Sequence, residues 1–209
     1  MASPLLLHRF QGSFVGVSLG DDDTHWADRL LPISKWLLNP QPVPAPPVTI
    51  AHGIDLLPLW LYGHENWYHR HQWLQMLDLP PADLPHHWAL GETIALLLKN
   101  HPADPSLPET ILDRWQAHAQ NGAPTCPESW QTSLTQLRSP SSLAQILPWL
   151  SEQPPSPQPL LGSLYLLLTL AGSPTCAIAR ARQLPHSASL PFTGALIGAH
   201  LGLHHLPWP

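Results

Sequence analysis

The stretch "FTGALIGAHLG" at residues 192–202 sets Gly194, Gly198 and Gly202 four apart, with Ala195 and Ala199 beside them. Positions i, i+4 and i+8 share one face of a helix, so on a helix these residues form a flat strip without side chains. A second stretch of the same kind, "FQGSFVGVSLG" at residues 10–20, repeats the spacing with Gly12, Gly16 and Gly20. Glycine inside a helix costs about 0.8–1 kcal/mol relative to alanine, up to roughly 3 kcal/mol per segment, so something must offset it. Close approach of another backbone does so: with no Cβ in the way, two helix axes draw together and gain dispersion contacts along the groove. The first and last helices are therefore expected to pack tightly in the core, with each other as the candidate pair. Gly20 and Gly202, at the ends of their segments, suit a helix C-cap or turn equally well.

Outward from these two strips, apolar residues recur at helical spacing. Trp26, Leu30, Ile33 and Leu37 form one such set; Trp67, Leu74 and Leu77 another; then Trp88, Ile94, Leu97 and Leu98, and Ile111, Trp115 and His118. "SPSSLAQILPWL" and "GSPTCAIARARQL" read as short helices opened by Ser beside Pro. Proline punctuates the rest. "NPQPVPAPPVT" (39–49) and the proline-rich run 152–159 read as extended connections, because each Pro lacks an N–H and fixes φ; Pro32 is expected to end or kink its helix. Alternating polarity is almost absent. The chain reads as all-α: a compact multi-helix orthogonal bundle of eight to eleven short helices, one domain over residues 1–209.

Composition narrows the function classes. Only 11% of residues are charged, and Lys is reduced to Lys35 and Lys99, so apolar packing rather than ion-pair networks must hold the fold. The formal charge is −5 and no Lys/Arg cluster interrupts it, which argues against nucleic acid as a partner. Protonating all fourteen His, against nine Lys/Arg and fourteen carboxylates, takes the charge to +9, so solubility should change near the usual imidazole pKa of about 6.5. Cys126 and Cys176 lack a CxxC spacing and fit reduced thiols in a cytosolic compartment. "MASPLLLHRF" lacks a basic leader, and "LLGSLYLLLTLAG" falls short of the roughly twenty apolar residues a bilayer needs, so the expected location is cytoplasmic with no membrane span.

The two glycine-spaced segments and their flanks also carry a resemblance. "RFQGSFVGVSLGD" resembles the opening helix of the ADP-ribosylglycohydrolase family, which runs through a glycine-spaced stretch into Gly-Asp. "FTGALIGAHLGLHHLPWP" resembles its closing helix, and "SLYLLLTLAGSPTCAIARARQL" its late helix pair. The likeness covers residues 8–31 and 160–209. It implies a compact all-α fold which, in active members, holds two Mg²⁺ ions that help remove ADP-ribose from a modified side chain. The family's first metal motif, Thr-Asp-Asp-Thr at a helix start, resembles "DDDTHWADRLL" here, which makes Asp22, Asp23 and Thr24 the carried-over ligands. In the family a long segment separates Gly-Asp from Asp-Asp-Thr, whereas here they abut. Asp21 then stands for one element and Asp22 to Thr24 for the other, or the second is coincidence. Hard Mg²⁺ favours such oxygen donors. The later family motif, Asp-x-Asp-Thr ahead of the closing helix, would fall on "PHSASLPFTG", where His186, Ser187, Ala188 and Ser189 stand instead. No Asp or Glu follows Glu152, so the second half of a two-metal clamp has no anionic ligand.

Each local signal also has a plainer reading. Asp23 or Thr24 can cap the helix bearing Trp26 and Leu30, where acids also suit the helix dipole; the other readings are a weak single-cation site and a catalytic metal. "YGHENWYHRHQW" crowds His64, Glu65, His69 and His71, but His64 and His69 are five apart and diverge by about 140° on a helix, unlike HExxH. An amphipathic helix that buries Trp67, Trp73 and Leu74 and turns its His and Arg70 to water is the expectation; His86 and His87, and His204 and His205, read the same way. No GxSxG, GxGxxG or Walker loop is present, and no catalytic residue is assigned. Several of the ten Trp, namely Trp60, Trp130, Trp149 and Trp208, lie near Pro and are candidates for a partner surface. The sequence thus points to a non-catalytic ADP-ribosylglycohydrolase-like protein without a cofactor, acting through protein contacts in a regulatory or assembly role. The alternative is an Mg²⁺-dependent ADP-ribosyl hydrolase or ADP-ribose-binding protein using Asp21 to Thr24.

Overall fold

A computed structural model describes residues 4–19, 26–38, 53–77, 79–120, 128–139 and 142–206. Among the described residues the chain forms eleven α-helices and two 3-10 turns, with no strand. The helices are α1 (Pro4–Ser18), α2 (Trp26–Leu38), α3 (Leu57–Tyr62), α4 (Trp67–Met76), α5 (Leu84–Lys99) and α6 (Leu107–Gln120). They continue with α7 (Glu128–Arg138), α8 (Leu143–Glu152), α9 (Gln158–Leu170), α10 (Pro174–Ala181) and α11 (Ser189–Leu201). The 3-10 turns, Gly53–Leu56 and Leu203–His205, precede α3 and follow α11. None of these helices is long and apolar enough to cross a membrane.

Helix α11 is the central element, packed by α1, α9, α10 and α5. Its run from Pro191 to His200 is buried without a break, as suits a helix apolar or small on every side. Helix α1 lies antiparallel to it: Gly12 faces Gly198 and Gly202, and Gly16 faces Gly194. A Cβ on Gly12 would sit 2.7 Å from the Gly202 carbonyl carbon and 2.8 Å from Gly198 O. At Gly16, Gly194 and Gly198 it would fall deeper still into the facing backbone, which has no side chain to swing aside. Ser13 adds a polar link across the seam, its hydroxyl donating to Ala195 O at 2.9 Å. Gly202 ends α11 at φ +85°, a left-handed value that also favours glycine, so it acts both as the cap and as the end of the strip. Gly20 lies outside the described residues.

Around this pair, α5 and α9 supply the remaining large buried faces, with α6 on α5, α7 on α6, and α8 on α9. Leu30, Ile33 and Leu37 line the buried side of α2, and Ile111 and Trp115 that of α6. Ser142 opens α8 as a capping box with Gln145, and Ser173 followed by Pro174 opens α10. Proline breaks the helices less than its chemistry suggests. Pro32 sits inside an unbroken α2 because it and Asp28 are exposed, so the Asp28 carbonyl that loses its N–H partner can turn to water. Exposed Pro148 is carried inside α8 in the same way. The proline-rich run 152–159 makes a tight turn at 155–157 rather than an extended connection, and Pro159 occupies the first turn of α9, where no N–H is needed. The other proline-rich stretch, 39–49, lies outside the described residues.

Replacing Gly194 by alanine forces a methyl group into the α1 backbone and should lower unfolding stability by about 3 kcal/mol, the upper end of ordinary overpacking. Gly172 has open space around it, so Gly172→Ala should change stability by less than about 1 kcal/mol. Urea unfolding of both variants beside the wild type measures the contrast.

Candidate functional site

The start of α11 is where the resemblance would require anionic ligands. His186 Nδ1 accepts the Ala188 N–H at 3.1 Å, closing a turn that leads into the helix. Ser189 is buried, and its carbonyl oxygen receives the hydroxyls of Ser163 on α9, at 2.9 Å, and of Thr193, at 2.7 Å. Those two hydroxyls are themselves 3.0 Å apart. The Ser163 and Thr193 hydroxyls are thus directed at one another and at the backbone, while the buried Ser189 Oγ has no hydrogen-bond partner; these neutral oxygens are a donor set that does not match a pair of divalent ions. Asp21, Asp22, Asp23 and Thr24 lie outside the described residues. Among the described residues no three His, Cys, Asp or Glu side chains converge to hold a metal ion.

Several polar residues sit where the sequence pattern does not place them. Arg70 is buried rather than facing water: it pairs with Glu92 of α5 and donates to Gly63 O at 3.0 Å and His64 O at 2.7 Å. The guanidinium therefore ties the turn after α3 to α4 and α5 at once, the multiple bonding that makes a buried charge tolerable. His64 is also buried, donating from Nδ1 to Leu61 O at 2.8 Å with its ring edge-on to Phe10, while His69 is exposed beside Trp73, so the two imidazoles point apart. His87 is buried and His86 half-buried, both contrary to a solvated face. Burial is the chief reason both imidazoles drop to about 4; the nearby Asp83 carboxylate opposes the drop in each. His204 is exposed and rests against His8, with ring centroids 4.7 Å apart.

Two further features went unread in the sequence. Arg9 of α1 is 2% exposed and its Nη1 donates to Leu97 O, Leu98 O and Asn100 O at 2.9–3.0 Å, so a cation from the first helix caps the C-terminus of α5. Nothing in the local pattern "LHRFQG" sets this arginine apart, because its partners lie about ninety residues on. On the outer surface, exposed Tyr62 and Tyr68 flank half-buried Trp73 and exposed His69, and Met76 continues the strip along α4. Trp60, by contrast, is fully buried against Gly91 rather than lying at a surface, and Trp149 is half-buried. The exposed aromatic surface on α3 and α4 is thus built chiefly from tyrosines.

Removing one member of the Arg70–Glu92 pair strands the other, so Glu92→Leu should cost about 3–5 kcal/mol. The double variant Arg70→Leu/Glu92→Leu should cost less than the sum of the singles, which a double-mutant cycle by chemical denaturation reads directly. A pH dependence follows from His86 and His87. Their folded values near 4 lie below the unfolded value of about 6.5, so between these limits the unfolded chain binds more protons. Their contribution is intact above pH about 6.5 and is lost as pH falls toward 4, at no more than about 1.4 kcal/mol per pH unit for each histidine. His87→Gln should make the stability profile shallower in that window and leave it unaltered in slope above it.

Comparison of the chain with protein-family models, curated proteins and solved structures finds no match.

Proposed function

We propose that this chain is a non-catalytic relative of the ADP-ribosylglycohydrolases that acts through protein contacts, in a regulatory or assembly role. The observation that carries the reading is the make-up of the α11 start. A two-metal hydrolase needs carboxylates there, and the chain offers the buried hydroxyls of Ser163 and Thr193, directed at one another and at the Ser189 carbonyl, beside the neutral Ser189 hydroxyl. The surface that offers contacts is the strip of Tyr62, His69, Tyr68 and Met76, since aromatic and methionine side chains supply much of the energy of protein interfaces. The rival reading, an Mg²⁺-dependent hydrolase or an ADP-ribose reader, rests on the sequence of Asp21 to Thr24.

Isothermal titration of the full chain with ADP-ribose, with and without MgCl₂, separates the two. The proposal predicts no saturable heat in either buffer. Tight binding of nucleotide and metal, each dependent on the other and abolished by Asp22→Ala and Asp23→Ala, would replace it with the rival. On the positive side, a protein captured by the wild-type chain should be lost from a Tyr62→Ser/Tyr68→Ser variant that unfolds like the wild type.

A further inference from the structure

Four rings stand in line on the outer side of α3 and α4, in the order Tyr62, Trp73, His69 and Tyr68. Neighbouring ring centroids lie 6.0, 5.9 and 6.5 Å apart and neighbouring planes are tilted by 44°, 37° and 49°, so no pair closes into a parallel stack. Tyr62 is 62% exposed and Tyr68 60%, while Trp73 is half-buried, with its ring edge against Gly63, where a Cβ would meet it at 2.5 Å. The two tyrosines therefore stand up at the ends of the line, and Trp73 lies lower between Tyr62 and His69. Helical spacing puts Gln72 and Met76, both exposed, on the same face of α4 as Tyr68, His69 and Trp73.

Charge and shape restrict what can settle on this line. Neither α3, α4 nor the turn between them carries an exposed Lys or Arg, since Arg70 is buried, whereas the Glu65 side chain in that turn is 79% exposed. A single nucleic-acid strand needs cations for its phosphates beside the rings on which its bases stack; here it would meet a carboxylate on a chain of net charge −5. An added β-strand has no sheet edge to join among the described residues. An amphipathic helix lays its apolar side chains into a groove, whereas Tyr62 and Tyr68 stand out from the surface. A proline-rich chain in the polyproline II conformation meets these conditions. Its helix is preformed, so its pyrrolidine rings pack on aromatic faces at low ordering cost, and its carbonyls, which make no internal hydrogen bonds, are open to donors such as the Gln72 amide and the tyrosine hydroxyls. It advances about 3.1 Å per residue, so each step between neighbouring rings corresponds to about two residues.

We propose that the line of Tyr62, Trp73, His69 and Tyr68 is a docking site for a proline-rich, polyproline II segment of a partner protein, with a Lys or Arg beside the prolines drawn to Glu65. This role rests on the reading of the chain as one that acts through protein contacts, and it gives the partner a chemistry.

The test is fluorescence anisotropy of labelled probes titrated with the full-length protein at low ionic strength: hexaproline-Arg, hexaproline-Glu and hexaalanine-Arg peptides, beside a labelled oligo-dT. Hexaproline-Arg is expected to bind saturably. Hexaproline-Glu should bind about threefold to fivefold more weakly, because one exposed charge contributes little, and hexaalanine-Arg about tenfold more weakly or worse. Tyr62→Ser/Tyr68→Ser should abolish the binding, whereas Leu7→Ser, which removes an exposed apolar side chain from α1, should leave it unchanged. No saturable binding, equal binding of the three peptides, or tighter binding of oligo-dT would overturn the proposal. So would a folded Tyr62→Ser/Tyr68→Ser variant that binds like the wild type, or equal losses in that variant and in Leu7→Ser. The peptides are compared on the wild-type chain, so they decide the matter even if a variant fails to fold. Failure of the broader reading shows separately, as Mg²⁺-dependent binding of ADP-ribose, to which these probes are blind.

Discussion

Contact between two helix backbones with no side chain between them is the constraint from which the rest of this structure follows. Gly12 and Gly16 of α1 meet Gly198 and Gly194 of α11 at separations that leave no room for a Cβ on either side. The antiparallel run is set by that matching: a four-residue step along one helix, about 6 Å, answers a four-residue step along the other. Because α1 comes early in the chain and α11 late, the contact closes the fold end to end. It then fixes what α1 can reach elsewhere, delivering Arg9 to the open carbonyls of α5, Ser13 to Ala195 O, and His8 to His204.

Polar groups in the described core are used to join elements rather than to furnish an open reactive cleft. Arg9 joins α1 to α5, Arg70 joins α4 to α5 and to the turn after α3, and Trp115 of α6 donates to the Thr93 hydroxyl of α5 at 3.1 Å. Ser163 joins α9 to the start of α11. Each bond spans at least one helix boundary, so the buried Arg9, Arg70 and Glu92 are held in fixed geometry, and breaking one of these bonds leaves a stranded partner. Buried polar atoms without a hydrogen-bond partner, among them Trp60 Nε1, Ser189 Oγ and His200 Nδ1, stand outside this pattern.

How far this was legible in the sequence depends on the range of the interaction involved. Helical periodicity is local, and it located Leu30, Ile33 and Leu37, and Ile111 and Trp115, on buried faces. Ser142 and Ser173 were readable as helix starts because capping is decided within four residues. The glycine spacing marked two flat strips, but only the fold could pair them. Arg70, His86 and His87 were misread as solvated because a polar residue's fate depends on what arrives from elsewhere: Glu92 lies one helix further on, and Gly53 closes over His87 from the far side of α3. Trp60 was misassigned for the same reason, since the groove that receives it is opened by Gly91 on another helix. Asp21 to Thr24, which carry the metal reading, lie outside the described residues, so that reading stands on sequence alone.

The account stands or falls on whether the first and last helices form one cooperative unit. Native-state hydrogen exchange on the full chain measures this most directly, by comparing the opening free energies of amides in Gly12–Val17 with those in Ala195–Ala199. If the glycine seam holds the fold together, both sets exchange only through global unfolding, with the same free energy and the same denaturant dependence. Exchange of the α1 amides through a separate, low-energy opening while α11 remains protected would contradict it.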